Sequence, residues 1–166
     1  MKKSNNNSNE DRGLTLVEVL VATSIILIFL VALFLTHNLY LKIAFSNRSA
    51  VKAIALAEES LEAMRFLRDS SWSANLVPLS LGTNYGMIFG LGTWQTTTTD
   101  IWVDDTFERV ITLSAVYRDA SGGIVSTGGT LDPDTLLVVS RVSWPNNSGA
   151  TTTKSISTYL TNLFEN

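Results

Sequence analysis

Residues 14–35, LTLVEVLVATSIILIFLVALFL, form an apolar run of 22 residues that carries a single charge, Glu18. About 20 apolar residues at ~1.5 Å rise each are enough to cross a ~30 Å hydrocarbon layer. After Glu18 no charged residue occurs until Lys42. A segment of this kind cannot be one more helix in a small water-soluble core. It predicts a membrane span, with everything after it forming a separate body. The acid then needs a reason, because a carboxylate at mid-bilayer costs ~2.5–3.5 kcal/mol and intramembrane acids usually have a partner. One reading places Glu18 in the first helical turn, favoured by the positive end of the helix dipole and reaching towards the headgroups.

Ahead of the run stands MKKSNNNSNEDRG, residues 1–13, short and polar, with Lys2, Lys3 and Arg12 against Glu10 and Asp11. The basic excess predicts that this leader stays on the cytoplasmic side and that the rest lies outside. Lys42, Arg48 and Lys52 beyond the run weaken that bias. A cleaved secretory signal has a shorter apolar region, ~7–15 residues, closed by a small-x-small site that is missing here.

Gly13 stands directly before the run, Leu14 follows it, and Glu18 is the fifth residue after the glycine. This string, G-LTLVE with its polar leader and long span, resembles the processing motif of type IV prepilins and the pseudopilins of type II secretion. The resemblance implies cleavage by a prepilin peptidase between Gly13 and Leu14 and methylation of the new amine of Leu14. It gives Glu18 a role in subunit assembly. It also implies other pilin or pseudopilin subunits and an inner-membrane assembly machinery as partners. The local chemistry agrees. Glycine can extend into a protease cleft without side-chain clash. The cut would create a cationic terminus that Glu18 of a neighbouring copy can meet where the dielectric is low. Two departures accompany the likeness: Leu14 replaces the usual phenylalanine, and Leu27 and Leu35 stand where many major pilins carry a helix-breaking glycine and proline. The first is tolerated in the family; the second tilts the reading towards a minor pilin or minor pseudopilin. AEESLEAMRFLRD, RVSWP and TYLTNLF also resemble minor pilins of a bacterial type IV pilus subgroup.

Beyond the span, no Gly or Pro occurs before Val77. Ile43, Ala50, Ile54, Ala57, Leu61, Met64 and Leu67 recur at mostly three- and four-residue steps, which predicts an amphipathic continuation of the helix over 36–70. One helix from Leu14 to about Asp69 would be ~84 Å long. His37 falls where the span ends and reads as an interface residue. Residues 71–166 predict a β-rich extracytoplasmic head. Residues 71–91 read as loop with short extended pieces, and Trp94–Thr99 as an added strand or polar edge. Phe107–Arg118 alternates, with Phe107, Ile111, Leu113, Ala115 and Tyr117 on one face and Arg109 and Val110 as exceptions. Leu136–Trp144 and Thr152–Leu160 follow as strands, with glycine-rich turns between them. The expected fold class is α+β: a long helix, its first half transmembrane, packed on a small antiparallel sheet.

Little else carries chemistry. With one His and no Cys, no thiol or Ser-His-Asp chemistry can be assembled in the head. The charge of −3 gives no basic stripe for nucleic acid. Gly90–Gly92 reads as a turn rather than a phosphate cradle. Asp100, Asp104 and Asp105, or Asp132 and Asp134, could bind calcium only if brought together; turn and cap roles fit them better. The four tryptophans read as packing residues. Asn47-Arg-Ser49 and Asn146-Asn-Ser148 match a glycosylation sequon, sterically sensible only in the second, a turn. No catalytic residue, metal ligand or cofactor is expected, and the chain reads as structural rather than enzymatic. The alternative is a permanently anchored single-pass protein whose head is a binding module.

Overall fold

The computed structural model describes residues 15–146 and 149–164. Its longest element is α1 (Leu16–Ser70, 55 residues), followed by one short helical turn, α2 (Trp72–Asn75). Seven strands come next: β1 (Asn84–Gly90), β2 (Thr93–Thr97), β3 (Trp102–Val103), β4 (Phe107–Arg118), β5 (Ile124–Val125), β6 (Thr130–Pro145) and β7 (Thr151–Thr161). Chain contacts separate two compact units, dividing α1 between Ile43 and Ala44.

In the first unit every described residue is exposed, including Ile28, Phe29 and Phe34. An 18-residue window within α1 has mean hydropathy 2.9, so by length and composition the helix can cross a membrane.

In the second unit α1 packs on an antiparallel sheet ordered β2-β1-β4-β6-β7, an α+β arrangement. One edge of β4 pairs with β6 along its length. Its other edge takes β3, β1 and β5 in succession, at residues 107–108, 111–112 and 117–118. Ala53, Ala57, Ser60, Leu61, Ala63, Met64 and Leu67 are the buried residues of the helix. The expected stripe therefore shifts: Ile43 and Ile54 stay exposed, and Ala53 takes the contact that the sequence pattern assigns to Ile54. Alanines at 53 and 57 let the helix lie close to Phe107, Val142 and Trp144. Further along, Leu61, Met64 and Leu67 join Tyr85, Met87, Ile111, Leu113, Val138 and Leu160 in the larger core. Each such aliphatic side chain contributes about 1.5–3 kcal/mol on full burial. The helix ends at Ser70, close to the expected Asp69, and Ser71 caps α2 by accepting from Ala74 N.

Two strand expectations change. Residues 84–90 form β1, a full strand in a region that reads as loop, because pairing with β2 outweighs its weak strand composition. In β4 the alternation breaks at a bulge between Ala115 and Val116. There β6 carries three residues, 133–135, without partners on β4; beyond this irregularity Val116 is buried and Tyr117 is exposed, off the face shared by Phe107, Ile111 and Leu113. Gly90–Gly92 is a turn, as expected: Leu91 and Gly92 both have positive φ, +53° and +80°, and close a two-residue hairpin between β1 and β2.

Candidate assembly segment

The first turn of α1 is held by a reciprocal pair. Thr15 N donates to Glu18 Oε2 at 3.2 Å, and Glu18 N donates to Thr15 Oγ1 at 3.3 Å. The Thr15 hydroxyl is also 3.3 Å from the same carboxylate oxygen. This is a capping box, in which a threonine and a glutamate three residues on satisfy helix-end amides that have no partner within the helix. Among the described residues Thr15 alone donates to Glu18, and its bonds fall on Oε2. Oε1 takes no donor among the described residues.

Along the rest of the apolar run the polar side chains satisfy themselves. The hydroxyls of Thr23, Ser24 and Thr36 donate to the carbonyls of Val19, Leu20 and Ala32 at 2.7–2.9 Å. Such back-bonding removes the cost of placing hydroxyls in hydrocarbon. The result is an apolar cylinder whose one charge sits at its described start.

The head places its charges differently. Arg109 is buried on the helix-facing side of β4. It donates to Glu59 Oε2 and to the carbonyl of Met87, both at 2.8 Å, and its guanidinium lies 5.6 Å from the ring centre of Trp94. Arg118 donates to Asp132 at 2.6 Å, to the Gly122 carbonyl at 2.9 Å and to Thr135. That bond from Arg118, helped by Thr135, holds the Asp132 carboxyl below the usual carboxylate range. Asp119 is lowered too, first by the Ser121 hydroxyl and then by the backbone amides of Gly123 and Ser121. Asp104 is paired with Lys52 of α1. Asp134 accepts from Asn162 Nδ2 and turns its own amide to Asp132. Of the aspartates considered for calcium, Asp104, Asp132 and Asp134 are thus engaged in ion pairs or hydrogen bonds of the head itself. Among the described residues no group of three or more His, Asp or Glu side chains is gathered as a metal site.

Residues 8–34 match the family model described as the prokaryotic N-terminal methylation motif. The chain carries a prepilin-type methylation signal. Neither the curated proteins nor the solved structures offer a match to the chain. The methylation motif covers part of the leader and most of the apolar run, and none of the head. Together with the apolar helix it fits a membrane-anchored precursor of the type IV pilin kind.

Of the residues singled out in the motif, Gly13 and Leu14 lie outside the described residues, as does the leader, 1–13. Glu18 stands in the first turn of α1. His37 is exposed on the same helix. Trp72 and Trp144 are buried and Trp94 packs against the larger core, whereas Trp102 is exposed. Part of the second sequon, Asn147 and Ser148, lies outside the described residues. Thr15 is the residue that sequence reasoning passed over. Its signal was present in T-x-x-E immediately before an apolar run. Arg109 stood out only as an exception to alternation, and its helix partner Glu59 could not be read from spacing.

Proposed function

We propose that this chain is a minor pilin or pseudopilin, a structural subunit of a type IV pilus or a type II secretion pseudopilus. Residues 1–13 are its leader, 14–35 its membrane span, 36–70 the amphipathic continuation of the helix and 71–166 its extracytoplasmic head. The precursor sits in the cytoplasmic membrane with its amino terminus inside. Prepilin peptidase cuts after Gly13 and methylates Leu14, and the subunit then passes through the inner-membrane machinery into the filament. Glu18 is the assembly residue: Oε1 receives the new amine of a neighbouring subunit while Oε2 stays with Thr15.

The observation that carries this reading is the methylation motif at residues 8–34, with the run's sole carboxylate inside it. The apolar surface of α1 supports it, since only lipid or the helices of other subunits can cover such a cylinder. Intact mass and amino-terminal sequencing of native protein should show a methylated Leu14 start. A Met1 start in assembled material would sink the proposal and favour a permanently anchored binding module.

A further inference from the structure

The β1–β2 hairpin ends in a feature that folding alone does not explain. Leu91 sits at its tip, 100% exposed, with φ +53°. A left-handed backbone costs a leucine free energy that glycine would avoid, and full exposure gains nothing from its side chain. Phe89, two residues earlier, is 64% exposed and braced edge-to-face on Trp94 at 5.3 Å. Gly90, Gly92 and Thr93 flank the tip, so it carries no charge. The hairpin is thus a stiff apolar knob.

A matching recess lies elsewhere on the same head. A hollow of about 210 Å³ is lined by Trp72, Leu76, Leu79, Leu131 and Leu136 among others. A cavity of ~150 Å³ holds a benzene molecule, so this one has room for a leucine side chain. Exposed Val77 and Leu81 form part of its lining, and its one charged member, Asp132, is engaged by Arg118, so an incoming apolar group meets mostly apolar surface.

Knob and hollow face opposite ends of β4. β1 pairs antiparallel with β4 at Asn84–Thr112 and Tyr85–Ile111 and from there runs in the direction of that strand's start, where β3 takes the edge. The hollow includes Ala115, near the strand's other end. Two unlike patches at opposite ends cannot close a two-fold dimer; they join copies head to tail in an open series.

We infer that Leu91 of one copy enters the Leu76–Leu131 hollow of a second copy, so that the heads are keyed along the filament. The inference rests on the filament-subunit reading above. A contact of this size is far below the ~1,000 Å² of a stable interface, so it acts only where the helices already hold heads together.

The natural chain lacks cysteine, so a Leu91→Cys, Leu131→Cys double variant reports this contact without background. In the sheared surface fraction, mild oxidation should give a ladder of disulfide-linked oligomers, with the 91–131 link confirmed by peptide mass. Each single variant should give at most dimers. Normal incorporation without the 91–131 link overturns the keying and leaves the filament reading intact; no incorporation of the unmodified chain overturns both. Leu91→Gly supplies the second arm. It should raise the melting temperature, because the strain is relieved, and reduce the surface fraction several-fold. A lowered melting temperature would make Leu91 a packing residue, and an undiminished surface fraction would remove its role as a key; either result sinks the inference.

Discussion

Arg109 of β4 and Glu59 of α1 meet at 2.8 Å, and the pair fastens the helix to the sheet from inside the head. The arginine is buried and the glutamate is half exposed. Loss of the glutamate leaves a cation in the core, whereas replacement of the arginine by an apolar side chain leaves the half-exposed glutamate to solvent and takes one donor from the Met87 carbonyl. Glu59→Ala should therefore destabilise the head by about 1–2 kcal/mol, less than a fully buried pair because solvent reaches the glutamate. Arg109→Met should cost under about 1 kcal/mol. Urea unfolding of the full chain in detergent, followed by tryptophan emission, compares the two; equal losses would refute the asymmetry.

Glu18→Ala and Thr15→Ala both break the capping box, and they should separate its two uses. Each weakens the helix start by about 0.5–2 kcal/mol. Only Glu18→Ala removes the anion, so it alone should abolish incorporation into filaments while membrane insertion persists. Quantifying the subunit in membrane and sheared surface fractions tests this. Equal incorporation of the two variants would leave the acid a helix cap and nothing more.

Asp119 and Asp132 set a pH dependence with a definite sign. Both carboxyls are held below their ordinary value in the folded head. The stability they contribute is present above the unfolded carboxylate pKa of about 4. It is lost as pH falls through the lower folded values. The melting temperature should thus be flat near neutrality and begin to drop below about pH 4. The Asp119→Asn, Asp132→Asn double variant should start lower and show a shallower acid slope; an unchanged slope would assign acid sensitivity to other groups.

Gly129 is confined by its neighbours. A Cβ there would lie 2.6 Å from Val125 Cγ2 and 2.7 Å from the Arg118 carbonyl oxygen. The backbone at Arg118 is fixed by pairing with Thr130 and Ile124 and cannot yield cheaply. Gly129→Ala should cost about 1–3 kcal/mol, as overpacking does. Gly90→Ala meets nothing within 4 Å and should lie within about 0.5 kcal/mol of the parent. Thermal melts of the two variants give the comparison.

The sequence was most legible where one local rule acted alone. The helix from residue 36 onwards followed from three- and four-residue steps, and its end near Asp69 from the serines behind it. β6 and β7 followed from alternation, because each has one face on the core. Legibility failed where distant pairing decides. β1 contains Gly86 and Gly90, which argue against a strand, yet five register pairs with β2 hold it. The irregularity beside Ala115 comes from extra residues of β6, 133–135, and leaves no mark in β4 itself, so the alternation of β4 alone puts Tyr117 on the wrong face. Ile54 looked like a core residue by spacing, but a helix set close to a sheet selects alanine at 53 and 57. At the amino-terminal segment the acid's spacing from Gly13 was legible, and its bond to Thr15 was available in T-x-x-E but overshadowed by the apolar run.

Thr23, Ser24 and Thr36 return their protons to carbonyls of their own helix. A segment that is internally satisfied in this way is indifferent to what surrounds it, lipid chains or the flanks of sister helices. Moving it from one to the other requires no polar bond to be broken and remade along its length. In the proposed filament, relocation would then be decided at Glu18, whose Oε1 takes no donor among the described residues.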